Sequence, residues 1–169
     1  MANNKTINIE DITVEDVLSP DATPEVMDVA ASDYDMATDL AEHPDTSGEL
    51  LHKIFKAHRG NYLEDNEDFC FLEEVVSHRN ATADLLLKAL QMKGDGNATI
   101  RAIAASNHNA DEKVLSKALK EDDGSVVSAA LQNKNMTPQL FVNYIKRKLK
   151  EKDPLFQLTA RSLLSNMSL

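Results

Sequence analysis

One motif recurs along this 169-residue chain and constrains its fold more than any other feature. Copies begin at Ser19 (SPDATPEVM), His43 (HPDTSGELL), His78 (HRNATADLL), Asn107 (NHNADEKVL) and Asn133 (NKNMTPQLF), and Asn166-Met167-Ser168 reads as a truncated sixth. The third place is always Asp or Asn, namely Asp21, Asp45, Asn80, Asn109 and Asn135. Two places on stands Thr23, Ser47, Thr82, Asp111 or Thr137, each a good N-cap type. Such a side-chain oxygen accepts from the free amides of a first helical turn and stabilises a helix start by about 1 kcal/mol. Pro24 and Pro138 follow their caps directly, where a missing N–H costs nothing.

A pair of large apolar residues follows each cap: Val26 and Met27, Leu50 and Leu51, Leu85 and Leu86, Val114 and Leu115, Leu140 and Phe141. Helical spacing carries these stripes onward through Ile54 and Phe55, Ala89 and Leu90, Ala118 and Leu119, and Tyr144 and Ile145, defining a set of B helices. Before each later motif copy lies a second short apolar segment of helical type, at residues 36–41, 69–76, 98–105, 126–131 and 155–164, defining A helices. Several of these fall below the ~12 to 15 residues at which an isolated helix is marginal in water. They can persist only against neighbours, and a repeated helix pair that cannot bury its own apolar face predicts a stacked array. Gly94, Gly96, Gly124 and the Asp/Asn-rich turns fall between the expected helices, as helix breakers should.

The stretch IRAIAASNHNADEKVLSKALKEDDGSVVSAALQNKNMTPQLF resembles two consecutive units of the HEAT-like or leucine-rich-repeat-variant solenoids. Units of that class run helix, Asn-Pro-Asn-like turn, capped helix, acidic turn. The resemblance spans residues 13–169 and implies an all-α fold, a short right-handed solenoid of about five to six irregular two-helix repeats, with residues 1–12 as a flexible segment. It also implies macromolecular binding as the use of the fold. Only Pro20 and Pro44 supply the turn proline, which Arg79, His108 and Lys134 replace in later copies. Uneven spacing of the copies implies insertions around residues 58–68 and 92–97. The iron-sulfur cysteines known from one variant of the class are absent.

Cys70 is the only cysteine, which excludes an intrachain disulfide and a multi-cysteine metal site. Its setting, Phe69-Cys70-Phe71-Leu72, predicts a buried apolar thiol. No signal-like N-terminal pattern appears, and no apolar run approaches the ~18 residues of a membrane span, so a cytoplasmic protein without membrane contact is expected. The sequons at Asn80, Asn97, Asn135 and Asn166 read mainly as capping turns, not as glycosylation sites.

The formal charge of −10 is unevenly spread. Residues 1–78 carry 19 acidic and 4 basic side chains, whereas residues 79–169 carry 9 acidic and 14 basic ones. The two halves must therefore present different fields to a partner. The first functional expectation is a protein-interaction module, adaptor or inhibitor, whose partner has a basic surface. Its expected contact residues are Asp33, Asp35, Asp39, Glu42, Glu64, Asp65, Glu67 and Asp68. The second is a nucleic-acid-related role. Either the carboxylates mimic phosphates and block a nucleic-acid-binding protein, or the basic stretch at residues 146–152 grips phosphates directly through Lys146, Arg147, Lys148 and Lys150. A third is self-association through the open C-terminal end, where the last A helix at residues 155–164 lacks a covering B helix.

Catalysis and metal binding find no carriers of the right pattern. The acidic run around Asp65 lacks the alternation, glycine and distal glutamate of a calcium loop. Glu74 and His78 stand four apart, but zinc wants at least three ligands and HExxH is missing; His78 shares its motif place with His43 and Asn107, which points to structure. Asp122-Asp123-Gly124-Ser125 reads as a helix-capping turn, with Ser125 just ahead of the apolar run. No nucleophile elbow and no P-loop is present, so neither catalytic residues nor a cofactor are expected.

Overall fold

Each helix start read from the motif is a helix start in the computed structural model, which describes residues 9–60, 70–94 and 97–150. The α-helices in chain order are α1 (Val14–Leu18), α2 (Pro24–Ser32), α3 (Tyr34–Glu42), α4 (Gly48–His58), α5 (Phe71–Ser77), α6 (Ala83–Ala89), α7 (Ala98–Ser106), α8 (Glu112–Ala118), α9 (Gly124–Gln132) and α10 (Pro138–Lys148). All regular structure among the described residues is helical, so the fold is all-α. None of these helices is long and apolar enough to cross a membrane.

The five expected caps all work as caps. Thr23, Ser47, Thr82, Asp111 and Thr137 accept from the backbone N–H groups of Val26, Leu50, Leu85, Val114 and Leu140 respectively. Pro24 and Pro138 occupy the first turns of α2 and α10. Asp33 caps α3 by accepting from Met36 N–H at 2.9 Å. The acidic turn at residues 122–125 is a helix-capping turn, as expected, and its cap is Asp123, whose Oδ1 accepts from Ser125 N–H at 2.8 Å and Val126 N–H at 3.3 Å.

Packing follows a next-but-one rule. Helices α3, α5, α7 and α9 touch in succession along one row; α2 meets α4, and α6 meets α8, in a second row. Arg147 ties α10 to the second row by donating to the carbonyl of Leu119, the C-cap of α8. The core lies between the rows and includes Leu40, Leu50, Leu51, Ile54, Phe55, Leu72, Val75, Leu85, Leu86, Ile100 and Leu115, all fully buried. Full burial of such a side chain stabilises by about 1.5–3 kcal/mol. With α5, α6 and α8 only 7 residues long, this burial and not intrinsic propensity holds them helical.

Several features depart from expectation. Ile9–Asp11 form a 3-10 turn, and Ile9 and Ile12 pack on the core. Helix α1 follows, with Thr13 and Asp16 forming a reciprocal capping box. His58, placed by sequence in an insertion, closes α4; it is buried, and its Nε2 lies 2.9 Å from the carbonyl of Ala31 in α2. Cys70 is exposed, not buried. The buried face of α5 is Phe71, Leu72, Val75 and Val76, and at ~100° per residue Cys70 points nearly opposite to it. The expected last A helix and the sixth motif copy lie outside the described residues.

Candidate interaction surfaces

The motif turns form a ladder that fixes each helix pair on the one before. The first-place residue closes its own turn: Asn107 Oδ1 accepts from Asn109 N–H at 2.8 Å, and Asn133 Oδ1 from Asn135 N–H at 2.8 Å. His78 does the same through Nδ1, 2.9 Å from Asn80 N. That ring nitrogen therefore carries no proton, and Nε2–H donates backward to the carbonyl of His43 at 3.0 Å. Asn107 Nδ2 reaches back to Val76 O at 2.7 Å, and Asn133 Nδ2 to Ala105 O and Asn107 O, both at 2.9 Å. The third-place residues make a parallel rung: Asn80 donates to Thr46 O at 2.9 Å, Asn109 to Arg79 O and Ala81 O, and Asn135 to His108 O and Ala110 O. Glu74 and His78 thus form no acid-base pair, because His78 has both ring nitrogens committed to backbone. Among the described residues no group of three potential metal ligands occurs.

With the turns aligned, the helix faces fall into register. Asp35, Asp39 and Glu42 are exposed on α3 at spacings that share one face, while Asp33 is half-buried as the cap. Glu73 and Glu74 stand beside them on α5, which packs on α3, and neither helix contains a cation. At the start of this face sits Tyr34, 41% exposed, with its ring edge-on to Phe71 at 5.5 Å. Phe71 in turn meets His58 edge-on at 5.2 Å. Tyr34 was not singled out from the sequence, and Glu74 was weighed there only as a partner for His78 and not with the acidic residues of α3. Tyr34 stands three and seven residues before Ala37 and Ala41, at the exposed N-terminal end of the buried stripe, so helical spacing alone marks it as a core position. Glu64, Asp65, Glu67 and Asp68 lie outside the described residues.

The cations occupy the other row. Basic residues fill the last turns of α4 (Lys56, His58), α6 (Lys88), α8 (Lys117) and α10 (Lys146, Arg147, Lys148). The last turns of α3, α5, α7 and α9 hold none. Three links run from one helix of this row to the helix before: Lys88 to His52, Lys117 to Leu87 O at 3.4 Å, and Arg147 to Leu119 O. These register-matched links show that the helices run in parallel, so their C-terminal ends share one edge. Among the expected phosphate contacts, Lys146 and Lys150 are exposed, whereas Arg147 is half-buried, its guanidinium 5.7 Å from the Tyr144 ring. Lys148 is half-buried too, so the four cations do not form one outward patch.

His52 records the field on this edge. Its pKa is lowered first by burial and then by Lys88, Arg59 and Lys56, against an opposing pull from Asp84. The contact from Lys88 fits a neutral ring that accepts at Nε2.

No family model, curated protein or solved structure matches the chain. Function must be read from these two surfaces.

Proposed function

We propose that the chain is a non-enzymatic interaction module of the α-solenoid type, resembling HEAT-like repeats, which binds a basic segment of another protein through the outer face of α3 and α5. A cytoplasmic setting belongs to the same reading. The next-but-one packing and the recurrent turn ladder support a stack of helix pairs, an architecture whose exposed layer serves as a binding face. The observation that carries the binding site is Tyr34: a large, half-exposed ring, braced by Phe71 and flanked by Asp35, Asp39 and Glu42 with no cation on either helix. Aromatic anchors held rigid at low entropic cost dominate protein interfaces, and surrounding carboxylates steer a cationic partner. The test compares partners recovered from the native host with the wild-type chain and with D35N/D39N/E42Q. A protein bound by the first and lost from the second supports the proposal. One retained equally by both, or no bound protein at all, contradicts it.

A further inference from the structure

The opposite row carries a second surface of the other sign. Two grooves adjoin at its C-terminal edge. One, of ≈ 520 Å³, is lined by Arg59, Lys88 and Lys93 with Gln91, Met92 and Asn97. The other, of ≈ 570 Å³, shares Gln91, Met92 and Lys93 and continues to Arg101 and Lys117. Together they make a trough from the end of α4, across the connection between α6 and α7, to α8. Among the described residues five cations line it with one carboxylate, Glu121, whose Oε2 lies 3.7 Å from Arg101 Nε. Among the described residues the first groove has no carboxylate in its lining, and Asp84 Oδ2 lies 3.4 Å from Lys88 Nζ.

Arg101 adds an independent observation. Its side chain is only 9% exposed and is fixed by Nη1 donating to Met92 O at 3.0 Å and Gly94 O at 2.9 Å, but its buried Nε has no hydrogen-bond partner. Glu121 Oε2 ion-pairs with this Nε from 3.7 Å, beyond hydrogen-bond distance, so the guanidinium is a fixed positive charge in the groove wall.

We propose that this trough binds the phosphodiester backbone of a single nucleic-acid strand, with Arg59, Lys88, Lys93 and Lys117 as the phosphate contacts and the buried Arg101 guanidinium as a fixed positive charge behind them. Its cations are spread over successive helices that pack about 8–10 Å apart, so they suit an extended polyanion and not one small anion. A strand places a charge every few ångströms and always has a phosphate opposite each cation. Among the described residues no aromatic side chain lines the trough, so it lacks the anchor of a protein interface and offers contacts to the backbone of a strand, not to its bases. Binding is therefore indifferent to sequence and steep in salt. The proposal is independent of the acidic face on α3 and α5; of the trough's cations only Arg101, on α7, comes from the row of those helices.

The experiment measures anisotropy of a fluorescent 20-nucleotide single-stranded DNA with the full chain over a range of salt. Wild type binds, and log K falls against log salt with a slope of about −3, the value for roughly four phosphate contacts. R59Q/K93Q, at two exposed positions, binds about ten-fold more weakly at low salt, with the slope shallower by about 1 to 2. K113Q/K134Q, which removes the same charge away from the trough, leaves both unchanged. Far-UV circular dichroism and melting confirm that all three chains are folded. Undetectable binding, or equal weakening by both variants, overturns the proposal. So does a polyglutamate peptide or tripolyphosphate that competes as well as the oligonucleotide, since either would mean an acidic protein or a small anion as the true ligand. Loss of the acidic-face partner in D35N/D39N/E42Q has no bearing on this result, so the two readings fail separately.

Discussion

Asn133 donates its side-chain amide to the backbone carbonyl of Asn107 at 2.9 Å, while Asn107 occupies the same place in its own turn and reaches back to Val76 O and His78 O. One residue type thus closes a turn with its oxygen and joins that turn to the previous one with its nitrogen. Asn133→Ala removes three hydrogen bonds at once and takes the side-chain donor from two carbonyls, those of Ala105 and of Asn107, of which Asn107 keeps the backbone N–H of Ala110 at 3.0 Å. The expected loss is about 3 kcal/mol of stability in a urea titration.

His78 fills the same place with a ring instead of an amide, accepting at Nδ1 and donating at Nε2. Asparagine offers the same acceptor and donor, so H78N should change stability by less than about 1 kcal/mol, whereas H78A should cost about 2. Equal losses for the two would show that the ring acts by packing alone.

Gly48 and Gly124 each open a helix, α4 and α9, yet their surroundings differ. A Cβ on Gly48 would lie 2.7 Å from Asn80 O and 2.7 Å from Thr82 Cγ2, because the next turn of the ladder sits directly on it; a Cβ on Gly124 meets nothing within 4 Å. G48A should destabilise by about 2 kcal/mol or more, and G124A should stabilise by about 0.5–1 kcal/mol. Thermal melts of the two variants decide the matter.

The field at the basic edge can be read from His52 by NMR titration. Its pKa lies below the usual histidine value, so the folded chain holds fewer protons there than the unfolded one. The stability this contributes is fully present above about pH 6.5, the unfolded value, and is lost as pH falls through the folded pKa. K88Q should raise the His52 pKa, and D84N should lower it further. Movement in the same direction for both would contradict the arrangement of charges.

Acid stability should show the capping carboxylates. Hydrogen bonds from Ser125 side chain and backbone lower the pKa of Asp123, and those from Thr13 lower that of Asp16. Both groups are ionised and capping above the unfolded value of about 3.9, and their contribution is lost as pH falls through their folded pKa values. D16N/D123N should therefore lose less stability on acidification than wild type, as measured by melting between pH 6 and pH 3.

Much of this was legible in the sequence, for a definite reason. Caps and apolar pairs act within one helical turn, so Thr23, Ser47, Thr82, Asp111 and Thr137 announce their roles locally. The ladder was only half legible: a repeated Asp or Asn marks a turn, but its amide bonds cross 25 residues or more, as from Asn135 to Ala110. Charge misled in a similar way. Counting along the chain divides it into an acidic and a basic half, whereas alternation of helices between two rows sorts α3 and α5 from the ends of α4, α6 and α8. Arg59, Lys93 and Lys117 are scattered in sequence and meet only because successive turns stack. Cys70 was misread because its neighbours are apolar; position on the helix, not neighbourhood, decides burial.

The account rests on short helices being held by the pair before and the pair after, and hydrogen exchange in N107A tests this most directly. Asn107 links its own turn to Val76 O and His78 O behind it and receives Asn133 from ahead. Peptides from α5, α7 and the turn at Asn133 should all exchange faster, with α2 changing least. Faster exchange confined to the turn at Asn107 itself, with α5 and the Asn133 turn as protected as in wild type, would contradict it.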